Sequence, residues 1–204
     1  MPRSTAATLT LRPNLTGLFF CLPVLALLLL IPGIALAHVG SHEAGFVAGA
    51  GHPISGLDHV LAMVAVGLWA AKTGGRALWA MPLTFVAAML AGGAIGAAGI
   101  PVPGVEPAIL ASIVVLGAAV ALALRPPLAV ALTLVAVFAA AHGVAHGAEG
   151  PEAGLLPYAV GFALVTAGLH GLGLALGFVL RRWSVATRVL GVLTAGAGAM
   201  LALG

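Results

Sequence analysis

Long apolar runs separated by short polar punctuation dominate this chain of 204 residues. Six of them, near 46–71, 77–99, 106–124, 127–148, 156–180 and 185–203, approach the ~20 residues that a helix needs to cross a bilayer. An earlier run, Leu18 to Ile34, follows Arg3 and Arg12 and ends in Ala35-Leu36-Ala37, the layout of a cleaved secretory signal. The pattern predicts an all-α fold: a polytopic membrane helix bundle of six transmembrane helices after an N-terminal signal peptide. Residues 1–37 read as the signal peptide and 38–204 as a single six-helix transmembrane domain. Small residues crowd the runs, notably Ala91 to Gly99 and Gly191 to Gly198, and such faces let helices approach closely.

Charge adds a direction. Hydrophobic residues make up 62% of the chain and charged ones only 6%, where a soluble domain carries about 25%. After residue 37, Lys72 and Arg76 separate the first two spans, Arg125 the third and fourth, and Arg181, Arg182 and Arg188 the last two. The alternate loops hold acids and no bases. The positive-inside rule then puts both the mature N-terminus and the C-terminus outside. Trp69, Trp79 and Trp183 are expected in an aromatic belt on the inner side. The basic balance rests on scattered residues, with no cluster suited to nucleic acid. The single cysteine, Cys21, lies in the leader, so neither a disulfide nor a cysteine metal site is available.

Seven histidines in so apolar a chain require a chemical reason. His52, Asp58, His59 and Met63 open the first span, and on a continuous helix His52, His59 and Met63 would share one stripe. Pro53 and Gly56 mark where that helix is most easily broken or begun. His142 and His146 end the fourth span, four residues apart and thus on one face, with Glu149 at its mouth. His170 stands in the fifth span, with Thr166 one turn earlier. Imidazole donors suit nickel, cobalt, copper and zinc. An ionisable residue within a membrane span is a functional hypothesis by default.

Topology ranks these groups by depth. His52, His142, His146 and Glu149 form an expected outer capture tier, and Asp58, His59 and His170 fall near the middle of their spans. Asp58 is either a direct ligand or the acceptor that fixes an imidazole tautomer. Met63 reads more simply as packing, and His170 alone as an interhelical hydrogen-bond partner. Cleavage after Ala37 would expose His38 as a chelating N-terminus with His42 close behind, although both histidines also fit an incidental tail.

At these residues the chain resembles the hydrogenase/urease accessory membrane proteins, the HupE/UreJ family. The matching elements are His-Pro-x-Ser-Gly-x-Asp-His at 52–59, continuing through Met63 and Val66-Gly67, and His-Gly-x-Ala-His-Gly-x-Glu at 142–149. The resemblance implies a permease of the bacterial inner membrane that takes up Ni²⁺ or Co²⁺ from the periplasm for nickel enzymes. It carries functional roles onto His52, Asp58, His59, His142, His146 and Glu149. It implies a transported divalent ion rather than a permanently bound cofactor, the bilayer as the other partner, and no particular oligomeric state. The chain has no Gly-x-x-x-x-Gly-Lys-Ser/Thr loop for nucleotide hydrolysis and no His-Glu-x-x-His protease motif, so an enzyme is not expected. The alternative is a metal- or haem-binding membrane protein, a sensor or redox carrier, that does not transport.

Overall fold

The computed structural model describes residues 45–203; the expected signal peptide, Cys21, His38 and His42 lie outside the described residues. The chain forms α1 (Phe46–Ser55), α2 (Leu57–Thr73), α3 (Ala77–Ala97), α4 (Val105–Ala121), α5 (Leu128–Ala148), α6 (Leu155–Val179), a 3₁₀ turn (Leu180–Arg182) and α7 (Ser184–Leu203). No strand occurs among the described residues. α3, α5, α6 with its 3₁₀ extension, and α7 are each long and apolar enough to cross a membrane. α4 is apolar but has only 17 residues.

The first span departs from expectation. A continuous helix over 46–71 is replaced by two helices, α1 and α2, bent by 84°. The cause is local. Pro53 has no N–H to give the helix, and the Ser55 hydroxyl turns back to donate to the His52 carbonyl at 2.7 Å. Gly56 then adopts an extended backbone, φ −103° and ψ 122°, and α2 starts afresh. Asp58 and His59 therefore stand in the first turn of α2, directly after the break. There a carboxylate also meets the positive end of the helix dipole.

α2 is the central helix. From His59 to Ala70 every residue except Leu61 is buried. Around it, helices meet through glycine. On α3, Gly92 and Gly96 press against the backbone of Ala140 and Val144 on α5, while Gly143 and Gly147 of α5 press back on Met89 and Gly93. Gly67 of α2 meets the His170 carbonyl and Gly173 of α6. Gly117 of α4 meets Gly191 and Ala195 of α7. Lipid offers no hydrophobic drive for helix association, so this close dispersion contact is what holds the pairs together.

Arg125 and Arg188 lie within Coulombic reach of Lys72, which gathers bases from the end of α2, the α4–α5 loop and the start of α7 at one end of the bundle. Trp69 does not sit in a belt as expected: it is 1% exposed and its indole N–H donates to the Leu124 carbonyl at 2.9 Å, tying α2 to the α4–α5 loop. Trp79, 59% exposed, does face outward.

At Gly143 an added methyl would run into the Met89 carbonyl, so Gly143→Ala is expected to destabilise the protein by about 1–3 kcal/mol through overpacking. At Gly168, on α6, nothing lies within 4 Å, and Gly168→Ala is expected to be neutral or slightly stabilising. Thermal unfolding of the two purified variants in one detergent checks the contrast.

Candidate metal centre

Three helices bring imidazoles together. The break at Gly56 lets Asp58 and His59 follow directly on α1, and a side chain at Gly56 would crowd both the Asp58 carboxylate and the His59 ring. On α5 the four-residue spacing of His142 and His146 turns both rings toward α2, while the glycine after each histidine presses on α3. His59, His142 and His146 are all buried, and their ligating nitrogens lie within 4.8 Å of one another. For bonds of ~2.0–2.1 Å, tetrahedral geometry needs nitrogens about 3.3 Å apart, so the cluster has the scale of one ion.

Hydrogen bonds decide which nitrogens face inward. Asp58 Oδ1 is 3.1 Å from His59 Nδ1, so that nitrogen donates to the carboxylate and Nε2 keeps its lone pair. Ser112 Oγ donates to the Ile109 carbonyl at 2.6 Å, and therefore accepts from His142 Nε2 at 2.9 Å. His142 Nδ1 is then bare, and it points at His59 Nε2 across 2.9 Å. His146 Nε2 approaches the same His59 nitrogen, while its Nδ1 turns toward Glu149 Oε2 at 3.7 Å. Facing lone pairs repel unless a proton or a cation lies between them. Asp58 and Ser112 thus act as outer partners that set tautomer and ring orientation, the arrangement commonly found around histidine-bound metals.

A second group stands beside the first. His52, His146 and Glu149 bring their donor atoms within 4.8 Å of one another, with His52 Nε2 3.3 Å from Glu149 Oε2. The Glu149 side chain is 63% exposed, so this group forms the mouth. The rings of His52 and His146 meet edge to face at 4.6 Å. His146 belongs to both groups, facing one with each ring nitrogen. A cavity of about 260 Å³ runs along its flank, bordered by Gly93, Gly147, Tyr158 and Phe162.

The expected tiers are redrawn accordingly. His142 and His146 do not form a layer outside His59; they join it, and the outer group is His52 and Glu149 sharing His146. Met63 is fully buried in the apolar core. His170 joins neither group. Ser112 and the rings of Phe85, Tyr158 and Phe162 were not anticipated. A lone serine among the apolar residues of 105–121 was the available signal for Ser112, but nothing local tied it to His142, 30 residues away.

The family model described as "HupE / UreJ protein" matches residues 25–201. "Protein HupE" of Rhizobium leguminosarum bv. viciae is 45% identical over 179 residues, covering 86% of this chain and 94% of that protein. No solved structure matches.

Ser112→Ala is expected to weaken divalent-metal binding about 10–100-fold without unfolding the protein, because the His142 tautomer loses its acceptor. Titration of the purified protein with Co²⁺, followed by ligand-field absorption, reads this directly. Ser112→Thr is expected to retain most of the affinity.

Proposed function

The chain belongs to the HupE/UreJ family, and from that premise we propose that it is a secondary permease for Ni²⁺, and for Co²⁺ as the chemically nearest alternative. The ion enters from the periplasm and serves nickel enzymes such as hydrogenase or urease. The observation that carries this reading is the convergence of three imidazoles, His59 and His142 each oriented by an oxygen group so that a lone pair turns inward. Such a donor set suits borderline divalent transition metals rather than Mg²⁺ or Ca²⁺. The proposed topology has six crossings with the N-terminus and C-terminus outside. α1 and α2 together make the first crossing, and α4, whose 17 residues lie at the short end of the workable range, makes the third. The gathered bases at the opposite end from Glu149 support this orientation. Residues 1–37 are proposed to be removed as a signal peptide, which makes His38 the new N-terminus and, with His42, a proposed first point of capture.

Entry proceeds through the two groups in turn. Glu149, His52 and His146 Nδ1 receive the ion and begin to replace its water. His146 Nε2, His59 and His142 then hold it against the Asp58-oriented ring. A membrane potential of 100 mV, negative inside, favours entry by ~2.3 kcal/mol per elementary charge, and about twice that for a divalent ion. A neutral imidazole has one lone pair, so His146 serves one group at a time. The two groups are successive positions of a single ion.

Uptake of radioactive nickel at submicromolar concentration, in cells without a high-affinity importer, tests the reading. The wild type is expected to accumulate nickel; Asp58→Asn and His59→Ala, at matched membrane levels, are expected to lose uptake. Retained binding with no uptake by the wild type would favour a sensor. A haem absorption spectrum would favour the redox carrier. Single-ion occupancy has its own test. In the His38→Ala/His42→Ala background, equilibrium dialysis is expected to give one tightly bound Ni²⁺ per chain, and two of comparable affinity would contradict the shared role of His146.

A further inference from the structure

His170 is 1% exposed, and neither of its ring nitrogens has a hydrogen-bond partner. The ordinary role of a histidine in a membrane helix, hydrogen bonding to a neighbouring helix, is thus absent for this residue. A buried polar group without a partner costs free energy and requires a reason. Its surroundings supply one. The Phe85 ring of α3 lies edge-on to it at 4.9 Å and also faces His142, at 5.9 Å. One aromatic ring therefore separates His170 from the three-histidine centre. One turn toward the start of α6, Thr166 is fully buried and its hydroxyl donates to Met89 Sδ at 3.8 Å. The lone pairs of that oxygen remain available on the same helical face as the His170 imidazole. Below the centre the helix walls are apolar, with Met63, Met81, Phe85 and Val66 all buried. A divalent ion without ligands faces a prohibitive desolvation cost in such surroundings.

We infer that Thr166 and His170 form a further, third station for the transported cation, on the inner side of the Phe85 ring, where the imidazole and the hydroxyl replace water as the ion leaves His59, His142 and His146. The inference rests on the permease reading and adds a ligand pair to it. The station is transient: it offers one nitrogen and one oxygen where the three-histidine centre offers three nitrogens, so the ion binds there more weakly and moves on. Its loss blocks passage while leaving the three-histidine centre able to bind.

The test uses the full chain reconstituted in liposomes, with Ni²⁺ flux measured beside equilibrium Ni²⁺ binding to the same preparations. His170→Leu is expected to bind Ni²⁺ at wild-type affinity and to lose flux by about 10–100-fold, the usual scale for deleting a group that supports a metal site. His170→Met keeps a soft donor in a side chain of similar reach and is expected to recover most of the flux; His170→Gln, matched in size but a poor ligand for these ions, is not. Wild-type flux in His170→Leu would overturn the inference while leaving the permease reading intact. So would loss of Ni²⁺ binding in all three variants, which would make His170 a packing residue. Absence of flux through the wild type would overturn the permease reading itself, and this inference with it.

Discussion

Where α3 and α5 cross, backbone touches backbone, and the candidate ligands of α5 ride on that contact. Gly143 and Gly147 lie against α3, and the residues immediately before them, His142 and His146, consequently face α2. Four residues is a little more than one helical turn, so two glycines at that spacing track one face and two histidines at the same spacing track the adjoining one. The crossing thereby fixes the depth, rotation and separation of two imidazoles at once. Their third partner comes from a helix that begins only at Leu57, after the chain has bent through 84°. Irregular backbone at membrane depth is tolerated where it lines a polar site, and here the break aims Asp58 and His59 at α5.

The membrane class and most helix boundaries were legible in the sequence because lipid-compatible runs are long and nearly all charges fall between them or at their ends, Asp58 being the exception. The broken first span was not, although its cause, Pro53 followed by Gly56, was visible: hydropathy records that a stretch is apolar and is blind to its direction. The candidate ligands were legible because ionisable residues are so rare in this composition. Their grouping was not. Depth counted along a straight helix put His59 below His142, and the bend at Gly56 raised it to the same level. Ser112 stayed hidden because a single hydroxyl in an apolar helix ordinarily bonds its own backbone; it does so here, to Ile109, and is recruited by His142 through its remaining lone pair. The aromatic residues gave no sign of their role, since Phe85 and Phe162 are in composition only core residues.

The electrostatic layout divides the bundle into unlike ends. Glu149 stands exposed beside His52 at one end, and Lys72, Arg125 and Arg188 gather at the other. In the proposed pathway the acidic end raises the local concentration of cations, and the basic end opposes their return from the cytoplasm. Between them the low dielectric of the helix walls makes every unligated ångström costly. In the proposed site the orienting oxygens of Asp58 and Ser112 hold the His59 and His142 imidazoles in the ligating tautomer in advance, so little reorganisation is left for binding.

In the proposed permease the double allegiance of His146 sets a traffic rule. In channels, fast conduction relies on neighbouring sites filled together, so that each newcomer repels the ion ahead. A single ring serving both groups removes that push, because an ion at the mouth and an ion at the centre compete for the same imidazole. In that pathway the two groups behave as a turnstile: one ion must leave His146 before the next is admitted. Throughput then levels off early as the outside concentration rises, which suits a scavenger of scarce metal and shields the cytoplasm from a sudden surplus.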